Sequence, residues 1–117
     1  VAVCSRKEDD CVIRDREYHL LGDGLATAFL ILRATELGLV AHPIAGYSPK
    51  KAREILGVPE DHQVITLVIV GKHAADISPV LSPKQAEQEK IRPERKPLAE
   101  FAFDNLFGRG FPGEGRP

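Results

Sequence analysis

Two short stretches of this sequence hold residue types that bind ligands or do chemistry. The first is Pro43-Ile44-Ala45-Gly46, with His42 before it and Tyr47 after it. Read alone, it is an ordinary tight turn. The second carries Arg92, Arg95 and Lys96 around Pro93 and Pro97. Guanidinium and ammonium groups are the usual partners of phosphates, yet read alone these are surface charges on a proline-bounded loop. A lone His is usually structural, and His42 either gates a pocket or packs. Tyr18 and His19 stand just before a long apolar segment. Tyr47 reads as a packing residue, and His62 and His73 as loop residues. No His or Cys pair has metal-ligand spacing, so no metal is expected. No glycine-rich dinucleotide fingerprint follows a strand. Cys4 and Cys11 have no partnering Cys or His cluster. A disulfide between them is possible, but free thiols in a reducing cytoplasm are the expectation.

These groups must be positioned by a small body. The 117 residues suit one small domain. A hydrophobic fraction of 43% with 28% charged residues is an ordinary globular composition. The net charge of -1 argues against a nucleic-acid partner or a membrane surface recognised through bulk charge. The apolar run Leu25 to Leu32 is far too short to span a bilayer. The chain opens with Val1, directly into apolar residues, and contains no Met, so Val1 reads as an internal cut.

The pattern predicts a short strand over Val1 to Cys4, then a charged, solvated loop from Ser5 to Arg16. From about Glu17 to Leu37 apolar residues cover most helical faces, which predicts a helix buried on more than one side. Gly38 ends it. Val40 to Ile44 is extended. Ser48-Pro49 starts a helix that runs to Leu56, with Ser as its cap. Gln63 to Val70 is the clearest strand, rich in β-branched residues and expected to be covered on both faces. Lys84 to Lys90 suits a short exposed helix, and Leu98 to Phe107 a final one. Residues 1–108 read as part of one domain and 109–117 as a flexible tail.

Three segments in fixed order resemble the nitroreductase family. The first is the helix ending Glu36-Leu37-Gly38-Leu39. The second is Pro43-Ile44-Ala45-Gly46-Tyr47 with the short helix after it, followed by the strand Val64 to Gly71. The third runs from Arg92-Pro93-Glu94-Arg95-Lys96-Pro97-Leu98 to Asp104-Asn105-Leu106-Phe107-Gly108. The resemblance implies an α+β fold, with a mixed, mainly antiparallel sheet wrapped by helices, here lacking its N-terminal part. It implies a homodimer with FMN at the interface. It also implies a ping-pong reaction in which NADH or NADPH reduces the flavin and the flavin reduces a nitro, quinone or similar acceptor.

For the site, the resemblance implies that Arg95, with Lys96 and Arg92 as weaker neighbours, meets the FMN phosphate. It implies that Pro43, Ile44, Ala45 and Gly46 contact the ring, with backbone N–H groups of Ala45 and Gly46 near N5. Tyr18 and His19, just before the central helix, are candidates to approach the active site from the partner subunit, packing being the plainer reading. Many members carry an acidic residue where this chain has Ala45, so only the backbone contact carries over. The Arg-rich and Ser/Asn segments that supply the other flavin contacts in similar enzymes are not among these residues. The expectation is an enzyme whose isolated C-terminal part is inactive. The alternatives are a flavin-binding or structural dimer module without turnover, or an incomplete piece of such an enzyme.

Overall fold

In the computed structural model, residues 1–91 and 93–111 are described. Beginning at the N-terminus, the elements are β1 (Ala2–Ser5), β2 (Val12–Ile13), β3 (Arg16–Glu17), α1 (His19–Glu36), β4 (Val40–Ile44), α2 (Pro49–Leu56), β5 (Gln63–Gly71) and α3 (Pro83–Lys90). They divide into two compact units, Val1–Ala74 and a second beginning at Ala75. The fold is α+β, and every strand pair is antiparallel.

In the first unit the β-branched run of β5 forms the middle of a three-stranded sheet, in the order β1-β5-β4. β4 runs along it without interruption from Val40 opposite Gly71 to Ile44 opposite Leu67. β1 pairs on the other edge, with Ala2 opposite Leu67 and Cys4 opposite Val64, and its register shifts between Val3 and Cys4. Val1 N donates to the Val68 carbonyl at 2.9 Å, beside the β1–β5 pairing.

α1 covers one face of this sheet. Its inward stripe is His19, Asp23, Thr27, Leu30, Ile31 and Ala34, at helical spacing. Val64, Val68 and Ala34 form the buried apolar core. The expectation of cover on both sides is not met within this chain. Leu21, Leu25, Phe29 and Leu32 form a second apolar stripe on α1 that stays exposed. Likewise Ile69, on the sheet face away from α1, is 58% exposed. Leu56 and Val58 lean over that face, and with Val1, Ala2, Cys4, Leu67 and Ile69 they line an open hollow of about 470 Å³.

The charged run after β1 is exposed, as its composition predicts, but it is not a plain loop. It holds a 3₁₀ turn at Lys7–Asp9 and the hairpin β2-β3. Arg14 takes a left-handed φ of 61° between those two strands. Short loops between strands require such conformations. α2 starts as predicted: Ser48 Oγ accepts from the Lys51 N–H at 3.3 Å, and Pro49 occupies the first turn. Gly57 closes α2 at φ 66°, where a side chain would be strained.

In the second unit, α3 begins with a reciprocal cap. Ser82 Oγ accepts from the Gln85 N–H, and the Gln85 side chain accepts from the Ser82 N–H. The predicted helix over Leu98 to Phe107 is corrected to a single 3₁₀ turn, Leu98–Glu100. The cause is local. Asn105 adopts φ 62°, and the Asp104 N–H bonds to the Arg109 carbonyl at 2.8 Å, so the backbone turns instead of continuing. Phe103 and Phe107 then meet with ring centroids 4.6 Å apart. Among the described residues, no helix is long and apolar enough to cross a membrane.

Candidate functional site

Pro43 and Ile44 are the last residues of β4, and Ala45 and Gly46 follow where the ladder stops. The place is fixed from three sides. Thr66 Oγ1 donates to the Ile44 carbonyl at 2.9 Å. Tyr47 donates its N–H to the Ala45 carbonyl at 3.0 Å and its hydroxyl to the Val64 carbonyl at 2.9 Å. Ser48 then caps α2. Tyr47 is therefore an anchor, as its sequence context suggests. Ala45 and Gly46 are exposed. Among the described residues, neither of their N–H groups is taken by another backbone or side-chain acceptor. A side chain at Gly46 would meet nothing within 4 Å, so the surface beside these two amides is open. What the arrangement offers is a pair of exposed donors on a braced segment.

Arg95 and Lys96 lie next to each other in the second unit, just before the 3₁₀ turn, and both are exposed. Lys96 Nζ stands 3.9 Å from Glu100, a loose surface pair. Arg92 lies outside the described residues. None of the predicted site residues lines the hollow on the sheet, whose walls are apolar apart from Cys4.

His42 is exposed on β4 opposite Ile69, on the sheet face away from α1. His62 bonds Asp61 at 2.8 Å. That contact first, and Arg6 second, hold the Asp61 carboxyl below the usual carboxylate range. Arg6 also grips Asp9 and lowers its carboxyl, linking the 3₁₀ turn after β1 to the turn before β5. Cys4 and Cys11 are free thiols. Burial first, and the charge of Asp23 second, push the Cys4 thiol up, which leaves it a poor nucleophile.

One constellation was not legible in the sequence. Ser5 and His19 are the buried polar residues of the unit. Ser5 Oγ lies 2.8 Å from His19 Nδ1 and bonds Asp23 Oδ2 at 2.5 Å. His19 Nε2 lies 3.2 Å from Glu17, whose other oxygen meets Lys7 Nζ at 2.6 Å. His19 thus points into the fold from the first turn of α1. Tyr18 beside it is half-buried, with Arg16 over its ring at 5.7 Å. The one signal available in advance was the spacing of His19 and Asp23, one helical turn apart at the end of a charged run.

Comparison with known proteins fits this architecture. No family model matches the sequence. The chain is 30% identical over 108 residues to the "uncharacterized 15.4 kDa protein in ask 5′ region" of Mycolicibacterium smegmatis, covering 92% of this chain and 70% of that protein. It superposes on the crystal structure of an oxidoreductase containing FMN with TM-score 0.69 and 26% identity, over 92% of this chain and 55% of that one. A nitroreductase family protein of Clostridium difficile 630 matches with TM-score 0.64 and 23% identity, over 88% and 56% of the two chains. A nitroreductase family protein of Clostridium novyi NT matches with TM-score 0.58 and 19% identity, over 94% and 52%. The fold class is therefore the nitroreductase type of α+β structure. The chain belongs to one family with the Mycolicibacterium smegmatis protein, has the fold of the nitroreductases, and spans about half the length of the solved structures it matches.

Proposed function

We propose that this chain contributes to a flavin-dependent oxidoreductase that passes hydride from NADH or NADPH through FMN to a nitro, quinone or similar acceptor. The observation that carries the reading is the braced, open pair of amides at Ala45 and Gly46, in a chain with this fold. Bound FMN supplies a ring that accepts and gives hydride. The amides of Ala45 and Gly46 are suited to donate to that ring, and they cost no reorganisation because Tyr47 and Thr66 already fix the segment. Arg95, helped by Lys96 and Arg92, would neutralise the phosphate. The nicotinamide would stack on the flavin rather than sit in a dinucleotide crevice. The working form is a cytoplasmic homodimer, and the exposed apolar stripe of α1 is the surface that supports this.

Ala45 favours a second reading, a flavin-binding or structural dimer module without turnover, because an alanine methyl can orient nothing at the ring. Anaerobic addition of NADH separates the two: bleaching of bound flavin supports the enzyme, and a stable yellow colour supports the module.

The phosphate role has its own test. FMN and riboflavin differ by the phosphate alone. The Arg95→Ala chain should bind FMN about 10- to 100-fold more weakly by fluorescence titration, from the loss of a charge-assisted hydrogen bond of about 1.5–3 kcal/mol. Riboflavin binding should not change. Equal loss for both ligands, or no loss for either, removes Arg95 from the site. The 117 residues alone should not retain stoichiometric flavin through purification, since they carry only part of these contacts.

A further inference from the structure

Three contacts join Ser5, His19, Asp23 and Glu17, and each needs a hydrogen. They are Ser5 Oγ to Asp23 Oδ2, Ser5 Oγ to His19 Nδ1, and His19 Nε2 to Glu17 Oε2. Ser5 supplies one hydrogen and a neutral imidazole supplies one. Two hydrogens cannot satisfy three contacts. Glu17 does not provide the third, because the Lys7 ammonium first, and His19 second, hold its carboxyl below the usual range. We propose that the folded chain keeps one extra proton in this cluster, shared between His19 and Asp23, and that the cluster is a proton-dependent latch fastening β1 to the start of α1.

The burial makes the count matter. His19 is 5% exposed and Ser5 7%, so water is poorly placed to substitute for a missing hydrogen. Without the proton, one contact becomes two lone pairs facing each other: Ser5 against Asp23, Ser5 against His19, or, for the Nδ1–H tautomer, His19 Nε2 against the ionised Glu17. Among the described residues, no other donor forms a hydrogen bond to Ser5 Oγ, the His19 ring or the Asp23 carboxylate. Cys4 on β1 feels Asp23, but its contribution is a thiol pushed up by burial, not a charge. Lys7, after β1, reaches the cluster only through Glu17. On β4 the titratable residue is His42, beside Ile69 on the opposite sheet face. The latch closes the segment that carries the charged run and the β2-β3 hairpin, because Ser5 and His19 stand at its two ends.

The sign follows from linkage. A folded state that binds one proton more than the unfolded chain loses stability as pH rises. The effect begins above about pH 6.5, where a free imidazole is neutral. The test is urea unfolding of the full chain between pH 6 and 8. The wild-type unfolding constant should rise by up to about tenfold per pH unit. Asp23→Asn should remain folded and remove that slope, because its amide N–H donates to Ser5 Oγ and supplies the third hydrogen without a titrating group. A wild-type chain with no slope, or an Asp23→Asn chain with the wild-type slope, overturns the proposal. NMR of the wild-type chain reads the same proton with no substitution. A ring of His19 still mostly doubly protonated, or a protonated Asp23, at about pH 7.5, a unit above the free imidazole value, supports the latch. A neutral ring together with an ionised Asp23 refutes it.

Discussion

Phe29 lies in the middle of the outward stripe of α1 and is 68% exposed. Substituting it by Asp separates two accounts of that stripe. If the stripe faces water, the change alters stability by no more than about 0.5 kcal/mol, as for surface positions generally. If it is the seam of a two-fold dimer, each copy loses the burial of one aromatic side chain, about 1.5–3 kcal/mol. Symmetry doubles the loss. A total of roughly 3–6 kcal/mol weakens dimerisation by about 10²- to 10⁴-fold. Sedimentation velocity over a concentration series reads this directly. Arg33→Ala is the control, since Arg33 pairs with the exposed Glu36 and such a pair is worth little. The expected result is a dimeric wild type and Arg33→Ala, and a Phe29→Asp chain that is monomeric with unchanged helical circular dichroism. A monomeric wild type, or a Phe29→Asp chain that dimerises as the wild type does, refutes the assignment of this stripe to the dimer.

Two further outcomes follow from local structure. Ser48→Ala removes the acceptor for the Lys51 N–H at the start of α2 and should cost about 1 kcal/mol in thermal or urea unfolding. It should also loosen the turn at Ala45 and Gly46, seen as faster amide exchange there. Acid should destabilise the first unit through Asp9, Asp61 and Glu17, whose carboxyls lie below the usual range because of Arg6, His62 and Lys7 respectively. The sign is that of depressed groups: their contribution is complete above about pH 4, the unfolded value, and is lost as pH falls through the lower folded values. Arg6→Ala should flatten the acid limb of the stability curve, and an unchanged limb would show that the Arg6 pairs contribute nothing.

The elements legible in the sequence are those set by periodicity and caps. β5 announced itself by its β-branched run, α2 by Ser48-Pro49 and Gly57, and α1 by a long helical pattern. The predicted helix from Leu98 failed because a left-handed Asn105 and the Asp104–Arg109 hydrogen bond override a favourable apolar pattern, and propensity does not record such contacts. The stretch Pro43 to Gly46, proposed to contact the ring, was singled out through resemblance; its own residues describe only a turn. The Ser5–His19 cluster was missed because its members come from the end of a strand, a hairpin and a helix, and only the fold brings them together.

The two stripes of α1 show why such a helix is hard to read from its sequence. An apolar pattern reports that a face is to be buried, but not by what. His19, Asp23, Thr27, Leu30, Ile31 and Ala34 are covered by this chain's own sheet, and polar groups in that stripe are tolerated because Ser5 and Glu17 meet His19 and Asp23 and the Thr27 hydroxyl donates to the Asp23 carbonyl. Leu21, Leu25, Phe29 and Leu32 hold no polar group at all, yet they are the exposed ones. Hydropathy alone would rank them as the core. The inversion is what an interface produces, since a surface that must be released from water only on association has no internal partners to accommodate and can be wholly apolar. In the proposed homodimer, α1 would lie between the sheet, which holds it through a few hydrogen-bonded and apolar contacts, and a partner surface, from which the larger apolar area would come.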